Sequence, residues 1–477
     1  MSEKKQSVAI VGSGLAGLTA ARLLADDPAG RYDVHIYEIG PTPSFAAASL
    51  SLPHPSGHTE PVDIPMRALS AGYYDRVFAL YRRFGVQFRK LDFLFAFTRQ
   101  DSSGSYFIHA SGNHRFPPKP TGKSWLSHLW DLLCVALVYA WYAACLQYFP
   151  PHVAETHGTT ESLRQYTERV WLPTWFTADF LLPLLSSVTT CPHETLLEYP
   201  AVDFAGYKTR TAGKGHYVVD GGVGNIQSRL MYGIPTTFNA MVTSITHLPS
   251  GKIELSWKNT KSGEEHLETV DKVILAINPS VIARIYPTLA PQMEKIPCLD
   301  LEVVAHTDES LINLMPASGG ESGALLEGKM SIRAAAALEP NEAHIVQLRT
   351  TTVPTSGHMS SRILRGGKQP REELSHITES THIHNPTNVF FTTIPLSPID
   401  SSLESSRAKF TRVLRTAESR SIVNSIFHGE RREKEWKNGD GGVWLCGGWC
   451  WDGMVLLEGC VVSAEEVARG LGVVVPN

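Results

Sequence analysis

The sequence predicts an α/β protein in which a parallel-sheet, dinucleotide-binding domain is intertwined with a second, α+β domain. Two observations support this prediction. The first is that a strand, a glycine-rich turn and a helix follow one another near each end of the chain. The length of 477 residues also exceeds what one hydrophobic core organises. We therefore expect the two ends to meet over one cofactor, with the second domain inserted between them.

The N-terminal unit has the spacing of a Rossmann-like turn. An apolar, β-branched run at residues 7–11 leads directly into Gly12-Ser13-Gly14-Leu15-Ala16-Gly17, and helical spacing follows at residues 18–24. The first glycine permits the tight turn, the second lets the backbone approach a pyrophosphate, and the third lets the helix pack on the strand. The diphosphate then lies at the positive N-terminus of the helix.

A second apolar strand, at residues 34–37, ends in Glu38. A carboxylate at this place can accept hydrogen bonds from ribose hydroxyls, and it would repel a 2′-phosphate. The alternative interpretation, a helix after a plain glycine-rich turn, does not account for Glu38. The sequence therefore predicts dinucleotide binding by residues 12–17 together with Glu38.

The middle of the chain alternates between the two domains. We assign residues 1–65, 211–295 and 431–477 to the dinucleotide-binding domain, because the continuous apolar run at residues 270–277 predicts a buried parallel strand. The substrate domain receives residues 66–210 and 296–430. In it we expect a helix over residues 68–84, strands at 85–88 and 93–97, an apolar helical insertion, and a polar loop at 355–370.

The C-terminal unit is a strand that ends in Gly447 and Gly448, followed by an amphipathic helix from Leu457. The turn between them contains three residues that could meet a substrate: Trp449, Trp451 and Asp452. The aromatic rings could sandwich the substrate, and the carboxylate could act as a base. The alternative is that both tryptophans belong to the core and that Asp452 caps the turn.

One apolar segment leaves three interpretations open. Residues 129–146 contain Asp131 as their only charged residue and approach the roughly 20 residues of a membrane span. The segment is a buried helix of the substrate domain, a helix lying in a membrane interface, or a true span. The tryptophans near its apolar face support the interfacial interpretation.

Composition limits the partners and the compartment. The formal net charge is −4 and no basic stripe occurs, so a nucleic-acid partner is not expected. Seven scattered cysteines show no disulfide framework, which suits a reducing, cytoplasmic location, with membrane association through residues 129–146 left open. No metal site is predicted, and the polar stretch around His376, His382 and His384 predicts a solvated loop.

Together these motifs resemble the flavin-containing amine oxidase superfamily. Within it, the likeness is nearest to the NAD/FAD-binding proteins found beside cyclopropane-fatty-acid-synthase-type genes. The residues that carry it are the N-terminal unit with Glu38, Gly57-His58-Thr59, Val219-Asp220-Gly221-Gly222, the 270–277 strand and residues 444–468 with Cys446-Gly447-Gly448-Trp449.

The resemblance implies FAD as the cofactor, with its adenine end at residues 12–38 and its isoalloxazine near the C-terminal turn. It also implies an adenine-side backbone contact from Val242 and contacts near Gly448. The amides near Leu456 and Leu457 would then face the N1/O2 edge of the flavin. The Gly-Gly-Arg that the family places after the ribose-binding Glu is replaced here by Phe45-Ala46-Ala47-Ala48, which leaves the pyrophosphate clamp open.

The expected activity is oxidation of a C–H bond by FAD. The apolar insertion favours a small lipophilic substrate of acyl, polyketide or terpenoid type, which would be dehydrogenated or desaturated while oxygen or another acceptor reoxidises the flavin. Two alternatives stay open at this point: a flavin amine oxidase, and a redox-neutral FAD-dependent isomerase or binding protein.

Overall fold

The structure is a computed structural model that describes residues 5–54, 56–102, 104–120, 122–312, 344–354, 374–384, 387–428 and 435–476. The strands of this part of the chain, numbered in chain order, are β1 Gln6–Val11, β2 Tyr32–Glu38, β3 Leu50–Pro53, β4 Thr59–Val62, β5 Leu69–Ser70, β6 Phe88–Leu91, β7 Phe93–Arg99, β8 Ser105–Ala110, β9 His216–Val219, β10 Thr236–Phe238, β11 Ala240–His247, β12 Ile253–Asn259, β13 Glu265–Val270, β14 Lys272–Leu275, β15 Cys298–His306, β16 His344–Pro354, β17 Leu374–His384, β18 Val389–Thr393, β19 Glu404–Val413 and β20 Val443–Leu445.

The α-helices of the same residues are α1 Leu15–Ala25, α2 Asp75–Arg83, α3 Trp125–Tyr148, α4 Ala154–His157, α5 Leu163–Arg169, α6 Thr174–Phe176, α7 Leu182–Thr189, α8 His193–Leu197, α9 Ala201–Thr211, α10 Val223–Met231, α11 Pro279–Ile285, α12 Ala290–Met293, α13 Ala417–Phe427 and α14 Leu457–Gly470. A π-helical turn, Thr177–Leu181, joins α6 to α7.

A five-stranded parallel sheet in the order β10-β2-β1-β14-β20 confirms the Rossmann-like prediction. Alternate residues of β1 point to opposite faces of this sheet. Val8 and Ile10 pack beneath α1, α10 and α14, whereas Ala9 and Val11 pack against the antiparallel meander β11–β13. Because both faces are covered, β1 and β14 read as largely continuous apolar runs.

A seven-stranded mixed sheet forms the second large sheet, in the order β19-β15-β18-β17-β16-β7-β8. Its strands pair antiparallel except at β16 and β7. One face carries aromatic and aliphatic side chains that include Phe93, Phe97 and Val346, and α3 and α7 pack over it. The assignment of this sheet to a substrate domain stays a prediction.

Three histidines expected in a solvated loop lie instead in the central strand of this sheet, so that expectation was wrong. His376, His382 and His384 lie in β17, which pairs with β16 and β18. The His382 ring faces His344, with 3.1 Å between Nδ1 and Nε2. Residues 378–381 are all polar, yet they are buried because they pair with neighbouring strands, as Glu379 does with Arg349 and Thr381 with Thr392. The sequence resembled a loop because this pairing across strands is not visible in a local pattern.

Two boundaries of the predicted elements were also wrong. The helix expected over residues 68–84 begins at Asp75, because Leu69 and Ser70 pair with β9 instead. The buried Glu458 carboxylate accepts hydrogen bonds from the amides of Arg76 and Val77 and fixes this start. The strand expected at residues 85–88 begins at Phe88. The predicted loop at 355–370 lies outside the described residues.

Helix α3 is not buried, so the first of the three interpretations of this segment was wrong. By length and composition it is long and apolar enough to cross a membrane, yet only 17% of its apolar window is buried. Four of its residues are buried: His128, Tyr142, Cys145 and Leu146. The hydrophobicity that predicted a core helix lies mainly on an outward face.

We expect the buried histidines to make this fold acid-labile. Burial lowers the pKa of His109 and His382 to about 4 and that of His193 to about 3, from the usual 6.5. Between these values and pH 6.5 the unfolded chain binds protons that the folded chain does not. The free energy of unfolding should therefore fall with decreasing pH, by about 1.4 kcal/mol per pH unit for each histidine.

Denaturant unfolding from pH 7.5 to 5.0 measures this dependence. His193→Asn removes a ring whose Nε2 lies 2.8 Å from Thr378 Oγ1, and it should reduce the slope by one proton. The exposed Leu267 provides a control without a titratable group, because Leu267→Asn should leave the slope unchanged. An unchanged slope in the His193 variant would contradict the prediction.

Candidate dinucleotide site

The three glycines of the N-terminal turn occupy positions with different steric requirements. Gly12 has φ +101°, and an added Cβ would lie 2.8 Å from Ala276 O. A Cβ on Gly17 would lie 2.0 Å from Gly12 O, so helix α1 could not approach the strand with a side chain there. Around Gly14, in contrast, nothing lies within 4 Å of the added Cβ. Gly14 is the N-cap of α1 and faces open space, as a pyrophosphate site requires.

Glu38 lies at the carboxyl end of β2 and is held by three backbone or hydroxyl donors. Its Oε2 accepts hydrogen bonds from Ser13 N and Ser13 Oγ at 2.9 and 2.5 Å, and its Oε1 accepts one from Gly40 N at 2.9 Å. These three bonds hold the carboxylate at the end of the glycine turn, where its oxygens can also accept hydrogen bonds from ribose hydroxyls. The sequence prediction that the glycine turn and Glu38 form one unit is in agreement with this geometry.

Arg67 is a site residue that sequence reasoning missed. Its Nη1 is buried and has no hydrogen-bond partner among the described residues. The guanidinium carbon lies 4.4 Å from the centre of the Phe45 ring. Burial lowers the pKa of Arg67, and the nearby Asp63, Tyr81 and Cys460 offset part of this effect. Such a buried, incompletely paired cation is costly unless an anion binds beside it.

Arg67 lies near Cys460, a residue in the first turn of α14 that is also close to the first turn of α1. The backbone amides of Gly448 and Ala16 both approach the Cys460 thiol, so Cys460 stands between the beginnings of α14 and α1. Arg67 is close enough to this thiol to lower its pKa against the opposing effect of burial, so it lies near the region where the starts of both helices converge. Its sequence signal was available, because it is the only Lys or Arg between Arg31 and Arg76.

The C-terminal turn repeats the close packing of the N-terminal one. A Cβ on Gly459 would lie 2.6 Å from Gly448 O, and one on Gly448 would lie 3.0 Å from Leu456 O. Leu456 is the extended N-cap of α14, and Leu457 is its first residue. Because the first amides of a helix have no acceptor within the helix, this end offers donors and a positive dipole to a ligand.

Trp449 and Trp451, predicted to meet a substrate, lie in the hydrophobic core instead of an open pocket. The indole of Trp449 donates to Ile277 O at 3.2 Å, and that of Trp451 donates to Met454 O at 2.9 Å. The same turn is held by Arg415, whose Nη2 donates hydrogen bonds to the carbonyls of Trp449, Trp451 and Gly453 at 3.3, 2.9 and 2.9 Å. These contacts give the tryptophans a positioning role, and a catalytic role for them stays a prediction.

Asp452 is half-exposed and forms an ion pair with Arg420. The same arginine also pairs with the fully buried Asp203. This shared arginine connects Asp452 to Asp203, so the geometry favours an anchoring role for Asp452. Its predicted role as a base stays a prediction.

The remaining predicted contact, Val242, lies in β11 at a bulge between Val242 and Ser244. Its side chain is buried with Val11 and Tyr37 beneath the parallel sheet. Just before this strand, Asn239 N donates to Gly40 O at 2.9 Å, which brings the meander to the loop after Glu38. The described residues contain no group of three His, Cys, Asp or Glu that could hold a metal ion.

Comparison with known proteins adds one finding to this geometry. A family described as an NAD(P)-binding Rossmann-like domain matches residues 10–84. No curated protein matches the chain. The match and the glycine geometry define a Rossmann-like NAD(P)-binding domain, and they indicate an oxidoreductase of the flavin- or NAD(P)-dependent kind in general. The matched span includes Glu38 and Arg67 together with α1 and α2.

We expect two glycine substitutions to separate folding from binding. Gly17→Ala should destabilise the protein by about 1–3 kcal/mol, because the new methyl group overlaps Gly12 O. Gly14→Ala meets no protein atom and should stay within about 0.5 kcal/mol of wild type, yet it should weaken dinucleotide binding. Denaturant unfolding of the ligand-free proteins and titration with the dinucleotide measure the two effects. Equal stabilities for the two variants would contradict this assignment.

Proposed function

We propose that the protein is an FAD-dependent oxidoreductase that dehydrogenates or desaturates a lipophilic small molecule. Its resemblance to flavin-containing amine oxidases, nearest to the proteins beside cyclopropane-fatty-acid-synthase-type genes, is part of this proposal. Oxygen or another acceptor would reoxidise the flavin.

The observation that carries the proposal is the buried, incompletely paired Arg67 between the starts of α1 and α14. A Rossmann-like domain for a nicotinamide dinucleotide needs the N-terminus of one helix. Here a second helix start and a buried cation extend the site from Glu38 toward the C-terminal turn. This elongated arrangement supports a flavin dinucleotide that reaches from β2 to α14.

Each element of this site would hold a different part of FAD. Glu38 accepts hydrogen bonds from the adenosine ribose, and the amides at Gly14 together with Arg67 neutralise the pyrophosphate. The N-terminus of α14 stabilises negative charge at the flavin edge. Bound FAD supplies an acceptor for a hydride from a C–H bond of the substrate.

A lipophilic substrate is supported by the apolar surroundings of the second sheet. A cavity of about 180 Å³ lies between α3, β8 and the π-helical turn. Its lining combines the apolar side chains of Phe107, Val135 and Phe180 with the charged residues Lys123, Asp131 and Asp179. Asp131 is paired with Lys123, and Asp179 is paired with Arg99. The face of the sheet beside the cavity carries Phe93, Phe97 and Leu348. Because the carboxylates are already paired, these surroundings favour an uncharged substrate, since a cationic amine would lose its hydration here.

The visible absorption spectrum of the purified protein tests the proposed function directly. We expect a flavin spectrum, release of FAD into the supernatant on acid precipitation, and anaerobic bleaching by neutral lipophilic compounds. Bleaching by simple amines alone would support a flavin amine oxidase instead. Conversion of a substrate without bleaching and without oxygen uptake would support a redox-neutral enzyme. A colourless protein that does not bind added FAD would overturn the proposal.

Substitution of Arg67 tests the observation on which the proposal rests. Arg67→Met should weaken FAD binding about 10- to 100-fold, because a hydrogen bond to a charged group contributes about 1.5–3 kcal/mol. The same change removes a buried cation, so the apoprotein should keep or increase its stability. Titration of the apoprotein with FAD and thermal unfolding without FAD measure these opposite effects.

The exposed Arg82 on α2 provides the matched control for Arg67. Arg82→Met should leave both FAD affinity and stability unchanged. A purely structural role for Arg67 predicts the reverse pattern, a less stable apoprotein with unaltered FAD affinity.

A further inference from the structure

We propose that the outward face of α3 binds the surface of a lipid bilayer that contains anionic phospholipids, with the helix lying parallel to the bilayer. This face comprises the exposed residues of Trp125–Tyr148. Leu126 is 83% exposed, Trp130 65% and Leu137 62%. The proposal rests on the geometry of this face and does not depend on the reaction that the protein catalyses.

The opposite face of α3 is attached to the protein along its whole length. At the start of the helix, His128 Nε2 lies 3.1 Å from Pro117 O. In the middle, Val135 packs in the cluster that contains Phe107 and Phe180. Near the end, Tyr142 and Cys145 pack in a further cluster with Tyr166. A helix held in this way lies on the surface of its domain and presents one side outward.

The outward face carries no charged side chain. The only Lys, Arg, Asp or Glu in α3 is Asp131, which is half-buried and paired with Lys123. Leucine and alanine occupy the central outward positions, while tryptophan and tyrosine occupy positions toward both ends. Aromatic residues that flank an aliphatic centre are typical of helices in a membrane interface, where amphipathic rings lie at the level of the headgroups.

Trp171 extends this face beyond the end of the helix. It is 86% exposed, and its φ of +55° is in the left-handed region that non-glycine residues rarely adopt. The preceding residue, Val170, accepts a hydrogen bond from Trp141 Nε1 at 3.0 Å. Two tryptophans are thus held beside each other at this end. Trp171 therefore adds exposed apolar area beside Trp141, and this area would be removed from water at an acyl layer.

Lysines at the edge of the face provide charge complementarity to anionic headgroups. Lys119 lies 6.0 Å from the Trp125 ring, and Lys208 lies 4.6 Å from the Tyr139 ring. Residues 115–130 contain three Lys or Arg and no Asp or Glu. An apolar centre with a cationic edge matches a bilayer, which offers an acyl layer beneath a layer of phosphates. A second copy of the same face would bring lysines toward lysines.

Vesicle co-sedimentation of the full chain tests the proposal. We expect binding to vesicles with 70% phosphatidylcholine and 30% phosphatidylserine, and weaker binding to pure phosphatidylcholine. Leu126→Glu/Leu137→Glu should weaken binding by at least about 100-fold, because two leucines no longer enter the acyl layer. Lys119→Gln/Lys208→Gln should weaken it about 5-fold per lysine, and only for the anionic vesicles.

The matched control places two glutamates at exposed aliphatic positions far from α3 in sequence. Leu267→Glu/Val474→Glu substitutes side chains that are 69% and 82% exposed, and it should leave vesicle binding unchanged. The variants of Leu126, Leu137, Leu267 and Val474 should keep the melting temperature of the wild type, since these side chains are exposed.

Three outcomes would overturn the proposal. The first is a wild-type protein that stays in the supernatant with anionic vesicles. The second is a lipid-free dimer that Leu126→Glu/Leu137→Glu converts to a monomer, which would identify the face as a contact between two copies. The third is resistance to extraction by alkaline carbonate, which would identify a spanning helix.

Discussion

Two close contacts between main-chain atoms, one near each end of the sequence, position the helices of the candidate cofactor site. Helix α1 approaches β1 so closely that only glycine fits at Gly17 against Gly12 O, and α14 approaches the end of β20 in the same way at Gly459 against Gly448 O. Each contact draws a helix onto the carboxyl edge of the parallel sheet. As a result two positive helix ends converge there, and Arg67 adds a buried charge between them.

The C-terminal contact is connected to the rest of the chain by a buried charged cluster. Arg415 binds three carbonyls of the turn at Trp449, Trp451 and Gly453, and its Nε lies 3.8 Å from the Asp203 carboxylate of α9. Burial raises the pKa of Asp203, while the two neighbouring arginines act in the opposite direction. The turn is therefore positioned by side chains from a different region of the chain, and its tryptophans are part of this support.

The apolar helix α3 and the candidate cofactor site differ in how they are attached to the rest of the protein. The site needs close packing and buried charge, so its elements are held from several sides. Helix α3 has one attached face and one face without any charged side chain. A catalytic domain with such a face would meet a lipophilic substrate at the membrane where that substrate dissolves, which joins the two proposals without making either depend on the other.

The correct predictions from sequence concern elements that depend on interactions between residues close together in the chain. Glycine spacing at residues 12–17, the acid at Glu38 and the continuous apolar run near residues 270–277 each reflect a steric or charge requirement within a few residues, and the structure agrees with them. Arg67 is visible in the sequence as an isolated cation, but its proximity to α14, almost four hundred residues away, is not. Its position is visible only when both helix starts are in place.

The wrong predictions also concern contacts between segments that are separate in the sequence. His382 resembled part of a loop because the polar side chains of its strand have their partners on the neighbouring strands β16 and β18. Helix α3 resembled a core helix because hydrophobicity alone does not say which side is covered. The sequence by itself determined the parallel sheet, its glycine turns and the acid at the end of β2. Only the tertiary structure decided which charges are buried together and which apolar face stays exposed, because burial depends on contacts between distant segments.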